Sequence, residues 1–202
     1  MIEPLRDAKF QKDLIWGNAA LPAILILYYC TRGRLGVNPV EFVTRSTGVL
    51  ALLFLVLTLL VTPLRKTLKW NWLAQHRRML GLYSFFYASA HLLTYVSFDR
   101  GFKLLSIPGD VWKRPFIALG MLSFFLMVPL AATSTNAMIK RRGGKNWTKL
   151  HRLTYICAVA GAVHYYLIVK SDISYPAIFG CVIVLLLGYR VYAAFGKAKT
   201  KV

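Results

Sequence analysis

Six long apolar runs dominate this chain, and each has the length of one membrane-spanning helix. They cover approximately residues 13–30, 41–62, 76–97, 115–133, 150–170 and 175–195. The hydrocarbon core of a bilayer is about 30 Å thick and takes roughly 20 apolar residues per helix. Backbone polar groups in lipid must be bonded within the structure, and these continuous runs do not alternate as barrel strands do. The sequence therefore predicts an all-α membrane protein with a bundle of six transmembrane helices at residues 13–196, between an N-tail (1–12) and a C-tail (197–202).

Lysines and arginines are distributed unevenly between the two ends of the predicted helices. Of the 26 in the chain, 18 fall on the side shared by both tails and the second and fourth loops, and eight fall on the other side. The positive-inside rule then places both termini in the cytoplasm. The net charge of +19 could also suit a nucleic acid, but cations that flank apolar runs are better explained by topology. We therefore expect the protein to lie in a lipid bilayer and not to bind nucleic acid.

All four histidines of the chain lie in two of the apolar runs. His76 and His91 are in the third run, His151 and His164 in the fifth, and both runs cross the membrane in the same direction. Separations of 15 and 13 residues correspond to roughly 22 and 20 Å along a helix, so the histidines match in depth as a cytoplasmic pair and an outer pair. An ionisable residue inside a membrane is costly and is commonly functional. The alternative is that these imidazoles have a structural role and form hydrogen bonds between helices.

Neutral imidazole is a strong axial ligand for haem iron, and two imidazoles on one iron favour electron transfer because no coordination position stays open. The pattern therefore predicts haem b between helices 3 and 5, with iron held by His91, His164, His151 and His76. The helical phase fits one pair better than the other. His76 and His91 differ by about 60°, whereas His151 and His164 fall about 140° apart on an ideal helix. Three explanations stay open: the helix begins just after His151, a π-bulge near Gly161 corrects the phase, or the inner site is not a simple pair.

Four arginines are candidate contacts for the haem propionates. Arg77, Arg78 and Arg152 adjoin the inner histidines, and a guanidinium suits a carboxylate well; they could equally be positive-inside anchors. Arg45 lies in the first turns of the second apolar run, on the outer side, where an outer-haem propionate could pair with it. Snorkelling of Arg45 to the membrane surface is the alternative.

Nothing in the sequence indicates a nicotinamide site or a thiolate metal site. No Gly-x-Gly-x-x-Gly follows a strand, and no soluble domain is present to carry one. Cys30, Cys157 and Cys181 lie in or beside apolar runs without a Cys-x-x-Cys, so we expect them to serve in packing. Electrons must therefore enter from a lipid-soluble carrier or from a partner protein.

Several ordered motifs resemble a known family. They are Thr47-Gly48 with Thr62-Pro63-Leu64-Arg65, His76-Arg77-Arg78-Met79-Leu80-Gly81 through His91-Leu-Leu-Thr-Tyr95, and Trp147-Thr-Lys-Leu-His151-Arg152-Leu153-Thr-Tyr155 through His164. With these motifs the chain resembles the ferric-reductase-like transmembrane family, and within it the haem-binding membrane subunits of bacterial protein-methionine-sulfoxide reductase systems. Relatives in this family often append a flavin and nicotinamide domain, which this chain lacks.

The resemblance implies a fold, a pathway and a set of partners. It implies a six-helix protein of the bacterial inner membrane that takes electrons from quinol and passes them through haem b to a periplasmic molybdopterin-containing reductase of methionine sulfoxide. His91, His151 and His164 fall on motif positions, while His76 sits at the membrane edge, so one or two haems are expected. The family is also associated with FMN, for which no site is readable here, and with a cytoplasmic flavin reductase as a further partner.

Two other functions stay open at this stage. A stand-alone transmembrane metal or quinone reductase would reduce its substrate without a protein partner. A haem-free transporter or assembly factor would be colourless, and the absence of an evident inverted repeat disfavours it. The four-histidine pattern favours the electron-transfer subunit, which is not a complete enzyme by itself.

Overall fold

A computed structural model describes residues 7–199, with side chains up to residue 195. The helices in chain order are α1 (Ala8–Thr31), α2 (Pro39–Thr67), α3 (Arg77–Thr94), α4 (Ile107–Lys113), α5 (Pro115–Ala132), α6 (Asn136–Arg142), α7 (Gly144–Leu150), α8 (Leu153–Ile168) and α9 (Ser174–Lys199). Short 3₁₀ turns at Asn71–His76 and Leu104–Ser106 and a π turn at Tyr95–Asp99 complete the regular structure. This part of the chain contains no strand, which confirms the all-α class. Residues 1–6 and 200–202 of the predicted tails lie outside the described residues.

The six longest helices coincide with the six predicted runs to within a few residues. Four of them, α1, α2, α5 and Ser174–Phe195 of α9, are long and apolar enough to cross a membrane. The two that carry histidines are less clear-cut: Arg77, Arg78 and His91 lower the mean hydropathy of α3, and α8 has only 16 residues.

Helix α2 lies at the centre of the bundle and packs mainly on α3, with further contacts to α8 and α9, while α5 packs mainly on α8. The central core contains fully buried or nearly buried side chains from four of these helices, namely Leu52, Leu55, Val56 and Leu59 of α2, Met127 of α5, Cys157, Ala158 and Ala162 of α8, and Ile183 and Leu186 of α9. Small residues on α8 let its neighbours approach closely, as is usual in membrane bundles. The expected packing role of Cys157 is consistent with its complete burial.

Helix α1 is attached to the bundle through tyrosines of α3. The hydroxyl of Tyr87 donates to the Ala19 carbonyl at 2.6 Å, and that of Tyr83 donates to the Trp16 carbonyl at 3.1 Å. Both rings also stack on Phe54 of α2. A tyrosine buried in this way places its apolar ring in the core and satisfies its hydroxyl on a backbone carbonyl.

The start of α8 answers the question of helical phase. Residues 151 and 152 form a turn, and the helix begins at Leu153, just after His151. This is the first of the three explanations considered above, because the ideal helical phase no longer applies across that turn. Gly161 lies within an uninterrupted α-helix, and the π turn is instead at Tyr95–Asp99, directly after α3.

Apolar side chains cover the outer faces of the bundle. Val184 and Leu185 of α9 are 69% and 71% exposed, and Phe125 of α5 is 62% exposed. Such a surface would be unfavourable in water and is typical of a protein whose helices face lipid.

Candidate functional site

Two cavities lie inside the bundle, and each contains predicted haem ligands. The first, of about 320 Å³, is lined by both His91 and His164 and is called here the His91–His164 cavity. The second, of about 520 Å³, is lined by His151 and is called the His151 cavity. Leu55 and Met127 line both, so the two spaces are neighbours along the bundle. Both volumes are in the range of small-molecule and cofactor sites.

His91 and His164, which the sequence predicts to be ligands of haem iron, lie close together on the two sides of one cavity. Their ring centroids are 6.1 Å apart and their planes are nearly perpendicular, at 81°. Imidazole nitrogens bind metals at about 2.0–2.1 Å, so two rings on opposite sides of one metal ion have centroids roughly 6 Å apart. The pair is therefore spaced as two axial ligands of one iron would be.

The hydrogen bonds of the pair leave one ring nitrogen of each histidine available. Nδ1 of His91 lies 2.8 Å from the carbonyl oxygen of Thr44, and Nδ1 of His164 lies 2.6 Å from that of Phe116. A carbonyl only accepts, so each Nδ1 carries the proton and donates it. Nε2 is then unprotonated in the neutral ring and can bind a metal, which is the usual arrangement of a metal-ligating histidine.

Each histidine ring lies against a glycine of a neighbouring helix. A Cβ added at Gly48 of α2 would be 3.0 Å from His91 Nδ1, and one added at Gly120 of α5 would be 2.9 Å from His164 Nδ1. Gly48 belongs to the Thr47-Gly48 motif, but its contact with a histidine could not be read from the sequence. Gly120 carried no signal beyond its residue type.

The far end of the His91–His164 cavity is lined by Tyr95, Asp99 and Arg114. Asp110 of α4 is only 7% exposed, and its carboxylate holds this end of the cavity together. It accepts a hydrogen bond from the Tyr95 hydroxyl at 2.7 Å. It also forms ion pairs with Arg114 Nε at 3.1 Å and with Arg100 Nη2 at 3.5 Å. Arg114 is the one lysine or arginine among the described residues that line this cavity. Sequence reasoning missed it, because only the fold of residues 95–114 brings it beside His91 and His164.

Arg45, the predicted propionate contact, is on the surface. Its side chain is 79% exposed and pairs with Glu41 one helical turn earlier, at 2.6 Å. It is absent from the described lining of the His91–His164 cavity. Its guanidinium would have to leave Glu41 to reach that space.

The His151 cavity combines one imidazole with a concentration of positive charge. His151 stacks on Trp147 with ring centroids 3.9 Å apart, and its Nε2 lies 3.3 Å from the Thr133 hydroxyl. The cationic lining residues are Lys66, Arg77, Arg78 and Arg152, and among the described residues no carboxylate forms an ion pair with any of them. Lys66 and Arg152 are exposed, and Arg77 and Arg78 are half-buried. Four cations around one space favour a ligand that carries negative charge, because opposite charges attract.

His76 is placed differently from the other three histidines. It is 3% exposed and lies on the α1 side, where its Nε2 is 3.3 Å from Gln11 Oε1 and 3.2 Å from Gln75 Nε2. Its ring also packs edge-on against Trp72. Among the described lining residues of the His151 cavity His76 is absent, so the structure brings His91 and His164 to one cavity but not His76 and His151.

Comparisons with known proteins identify the family of this chain. A family model described as "Ferric reductase like transmembrane component" matches residues 47–162. The chain is 46% identical over 188 residues to the protein-methionine-sulfoxide reductase heme-binding subunit MsrQ of Herminiimonas arsenicoxydans, covering 92% of this chain and 86% of the relative. It is 45% identical to the MsrQ subunit of Ralstonia nicotianae, covering 94% and 88%. It is also 40% identical to the magnetosome protein MamZ of Magnetospirillum gryphiswaldense, covering 90% of this chain but 29% of that protein.

Proposed function

Because the chain belongs to the ferric reductase like transmembrane family, we propose that it is the haem-binding membrane subunit of a protein-methionine-sulfoxide reductase system. In this role the protein is a membrane cytochrome b, with haem b as the one-electron carrier between the quinol pool and a periplasmic, molybdopterin-containing MsrP-like reductase. The partner enzyme would use these electrons to repair oxidised periplasmic proteins. The observation that carries the proposal is the facing pair of His91 and His164, with both Nδ1 atoms bound to backbone carbonyls.

His91 and His164 are the residues that would hold the haem iron, each through its Nε2 atom. Iron bound by two imidazoles would have no open coordination position for oxygen or substrate, which would suit electron transfer. The lining of the cavity is mainly apolar and includes Leu52, Leu55 and Phe124. Low polarity and two neutral ligands are the properties by which the protein sets the redox potential.

The His151 cavity is the proposed second cofactor site. His151 offers one imidazole, and Arg77, Arg78 and Arg152 offer the positive charge that haem propionates would need. The same cations would bind the phosphate of FMN, so this cavity is also where we would place the flavin of the family. His76 remains a predicted ligand whose ring would have to leave Gln11 and Gln75 to reach this space. Two haems require His76 or another group as the second ligand, or one axial position without a histidine.

Arg114 is the better-placed contact for a propionate in the His91–His164 cavity. It lines this cavity and pairs with Asp110 through Nε at 3.1 Å, while its side chain is 46% exposed. Its terminal nitrogens would be the groups that bind a carboxylate. Arg114→Gln should shift the haem potential or reduce haem retention, and Arg45→Gln is the matched comparison on the same side of the bundle. An effect of Arg45→Gln alone would instead support the sequence-based assignment of Arg45.

Orientation follows from the distribution of charge. We propose that both termini and the His151 cavity face the cytoplasm and that the His91–His164 cavity lies nearer the periplasm, in the bacterial inner membrane. The cations Lys66, Arg77, Arg78 and Arg152, assigned to one side from sequence, do share one cavity. Electrons would enter from quinol, with a cytoplasmic flavin reductase as a second proposed donor, and leave toward the periplasmic partner.

The test is a dithionite-reduced minus oxidised spectrum of the detergent-purified protein, with haem quantified per chain. Sharp b-type bands are expected, and His91→Ala and His164→Ala should each abolish the haem of this pair and all transfer to a periplasmic acceptor. Wild-type haem content in both variants would refute the ligand assignment. A colourless protein, after expression with ample haem precursor, would favour the haem-free transporter or assembly factor.

A second experiment distinguishes a subunit from a stand-alone reductase. Proteoliposomes that contain the chain and quinol should reduce methionine sulfoxide only when the molybdopterin-containing partner is added. Rapid reduction of ferric iron by quinol with the chain alone, or rapid oxidation of the pre-reduced chain by added quinone, at the rate seen with the partner, would favour the stand-alone reductase.

A further inference from the structure

The two histidines of the His91–His164 cavity are held by the same device on two separate helix pairs. His91 of α3 donates to the carbonyl of Thr44 in α2, four residues before Gly48. His164 of α8 donates to the carbonyl of Phe116 in α5, four residues before Gly120. In both cases the ring lies against the glycine that is one helical turn after the accepting carbonyl. We call each combination of glycine, carbonyl and ring a notch.

The glycine is what exposes the carbonyl to the ring. In an α-helix the carbonyl of residue i points toward residue i+4 and accepts its N–H, and it keeps a second lone pair for another donor. A side chain at i+4 would flank that lone pair. At Gly48 and Gly120 no Cβ is present, so the imidazole can approach from the side and Nδ1–H can reach the oxygen.

An alanine would displace the ring at either notch. The added Cβ would lie 2.9 Å from Nδ1 of His164, a distance that real Cβ atoms essentially never show. It would lie 3.0 Å from Nδ1 of His91, which is tighter than nine in ten real Cβ contacts, so that ring would have to move by a few tenths of an ångström. The ring cannot retreat without lengthening its hydrogen bond, which is 2.8 Å for His91 and 2.6 Å for His164. A ring that turns to avoid the methyl group also changes the 81° angle between the two planes.

We propose that Gly48 and Gly120 are positioning residues, which fix the plane of each imidazole and direct its Nε2 into the cavity. This inference rests on the proposed function, because it assigns the glycines a role in the properties of a bis-histidine haem. A hydrogen bond from Nδ1–H to a carbonyl raises the basicity of the ligand and stabilises the oxidised metal. Weakening either bond should therefore make the midpoint potential more positive.

The experiment compares Gly48→Ala and Gly120→Ala with two matched controls in the full-length, haem-loaded protein. Gly180 and Gly188 are glycines within α9 where an added Cβ meets nothing within 4 Å, so Gly180→Ala and Gly188→Ala change a helical glycine without touching a ring. The readouts are haem per chain, the midpoint potential and the low-spin ferric electron paramagnetic resonance spectrum, which depends on the angle between the imidazole planes.

We expect the notch variants to show a more positive potential and an altered g anisotropy, or to lose haem while their size-exclusion profile stays that of the wild type. The controls should match the wild type in all three readouts. Unchanged potential and spectrum in both notch variants would overturn the inference. Failure of both variants to fold, while the controls fold, would assign the glycines to helix packing and also overturn it. A wild-type protein without haem would contradict the proposed function instead.

Discussion

At the level of single residues, His76 and His151 show how similar residues in matched sequence positions acquire different surroundings. His151 lines a cationic cavity, whereas His76 is bonded to Gln11 and Gln75. His151→Ala should remove a cofactor from the His151 cavity. His76→Ala should leave haem per chain unchanged and lower the free energy of unfolding by about 0.5–1.5 kcal/mol, because one hydrogen bond to Gln11 is lost while Gln11 keeps its bond from Gln75. Pyridine haemochrome quantification and detergent-phase thermal melting measure the two effects.

The control for this pair is Gln75→Ala, which disturbs the surroundings of His76 and leaves its imidazole in place. A loss of one haem per chain in His76→Ala, but not in Gln75→Ala, would establish His76 as a ligand after all. The sequence contains all four histidines and predicts that they match in depth as two pairs. It could not reveal the contact of His76 with Gln11, since that contact joins residues 65 positions apart. Nor could it reveal the carbonyls of Thr44 and Phe116, because every residue has a carbonyl and only the fold selects these two.

Among the elements, the segment between α3 and α5 depends on one buried carboxylate. Asp110 of α4 accepts a hydrogen bond from the Tyr95 hydroxyl and forms ion pairs with Arg100 and Arg114. Asp110→Asn keeps a hydrogen-bonding oxygen but leaves both guanidinium groups without a counter-charge, which should cost about 1–3 kcal/mol. We expect faster amide exchange in residues 99–114 and weaker haem retention.

Asp172→Asn is the matched control, because Asp172 is an exposed carboxylate that bonds the backbone of Ser174 at the start of α9. Equal exchange in residues 99–114 for Asp110→Asn and the wild type would show that the carboxylate does not hold this segment.

The long helices were predictable from apolar runs alone. The short helices α4, α6 and α7 were not, because seven residues carry too little periodicity and take their shape from packing and capping, as at Thr135, which accepts from Met138 N–H before α6.

For the whole molecule, the decisive property is orientation, because it determines which cavity faces the electron donor and which faces the acceptor. Lys103, before α4, and Lys145, in α7, are both exposed and belong to opposite predicted sides. With Cys30 and Cys181 replaced by serine, and fully buried Cys157 retained, Lys103→Cys should react with a membrane-impermeant maleimide in cells whose outer membrane has been opened. Lys145→Cys should react only after the inner membrane is also permeabilised, because the positive-inside rule retains its basic loop in the cytoplasm.

The parent variant, in which Cys30 and Cys181 are serine and no new cysteine is present, gives the background labelling. If Lys145→Cys is labelled before the inner membrane is permeabilised and Lys103→Cys is not, the orientation is the opposite of the one proposed. The His91–His164 cavity would then lie nearer the cytoplasm, and the proposed transfer to a periplasmic partner would have to begin from the His151 cavity. The charge distribution makes this reversal unfavourable, because 18 of the 26 cationic residues lie on the side assigned to the cytoplasm. The direction of electron flow and the side on which the partner docks therefore both depend on the orientation of the chain, which the labelling experiment measures.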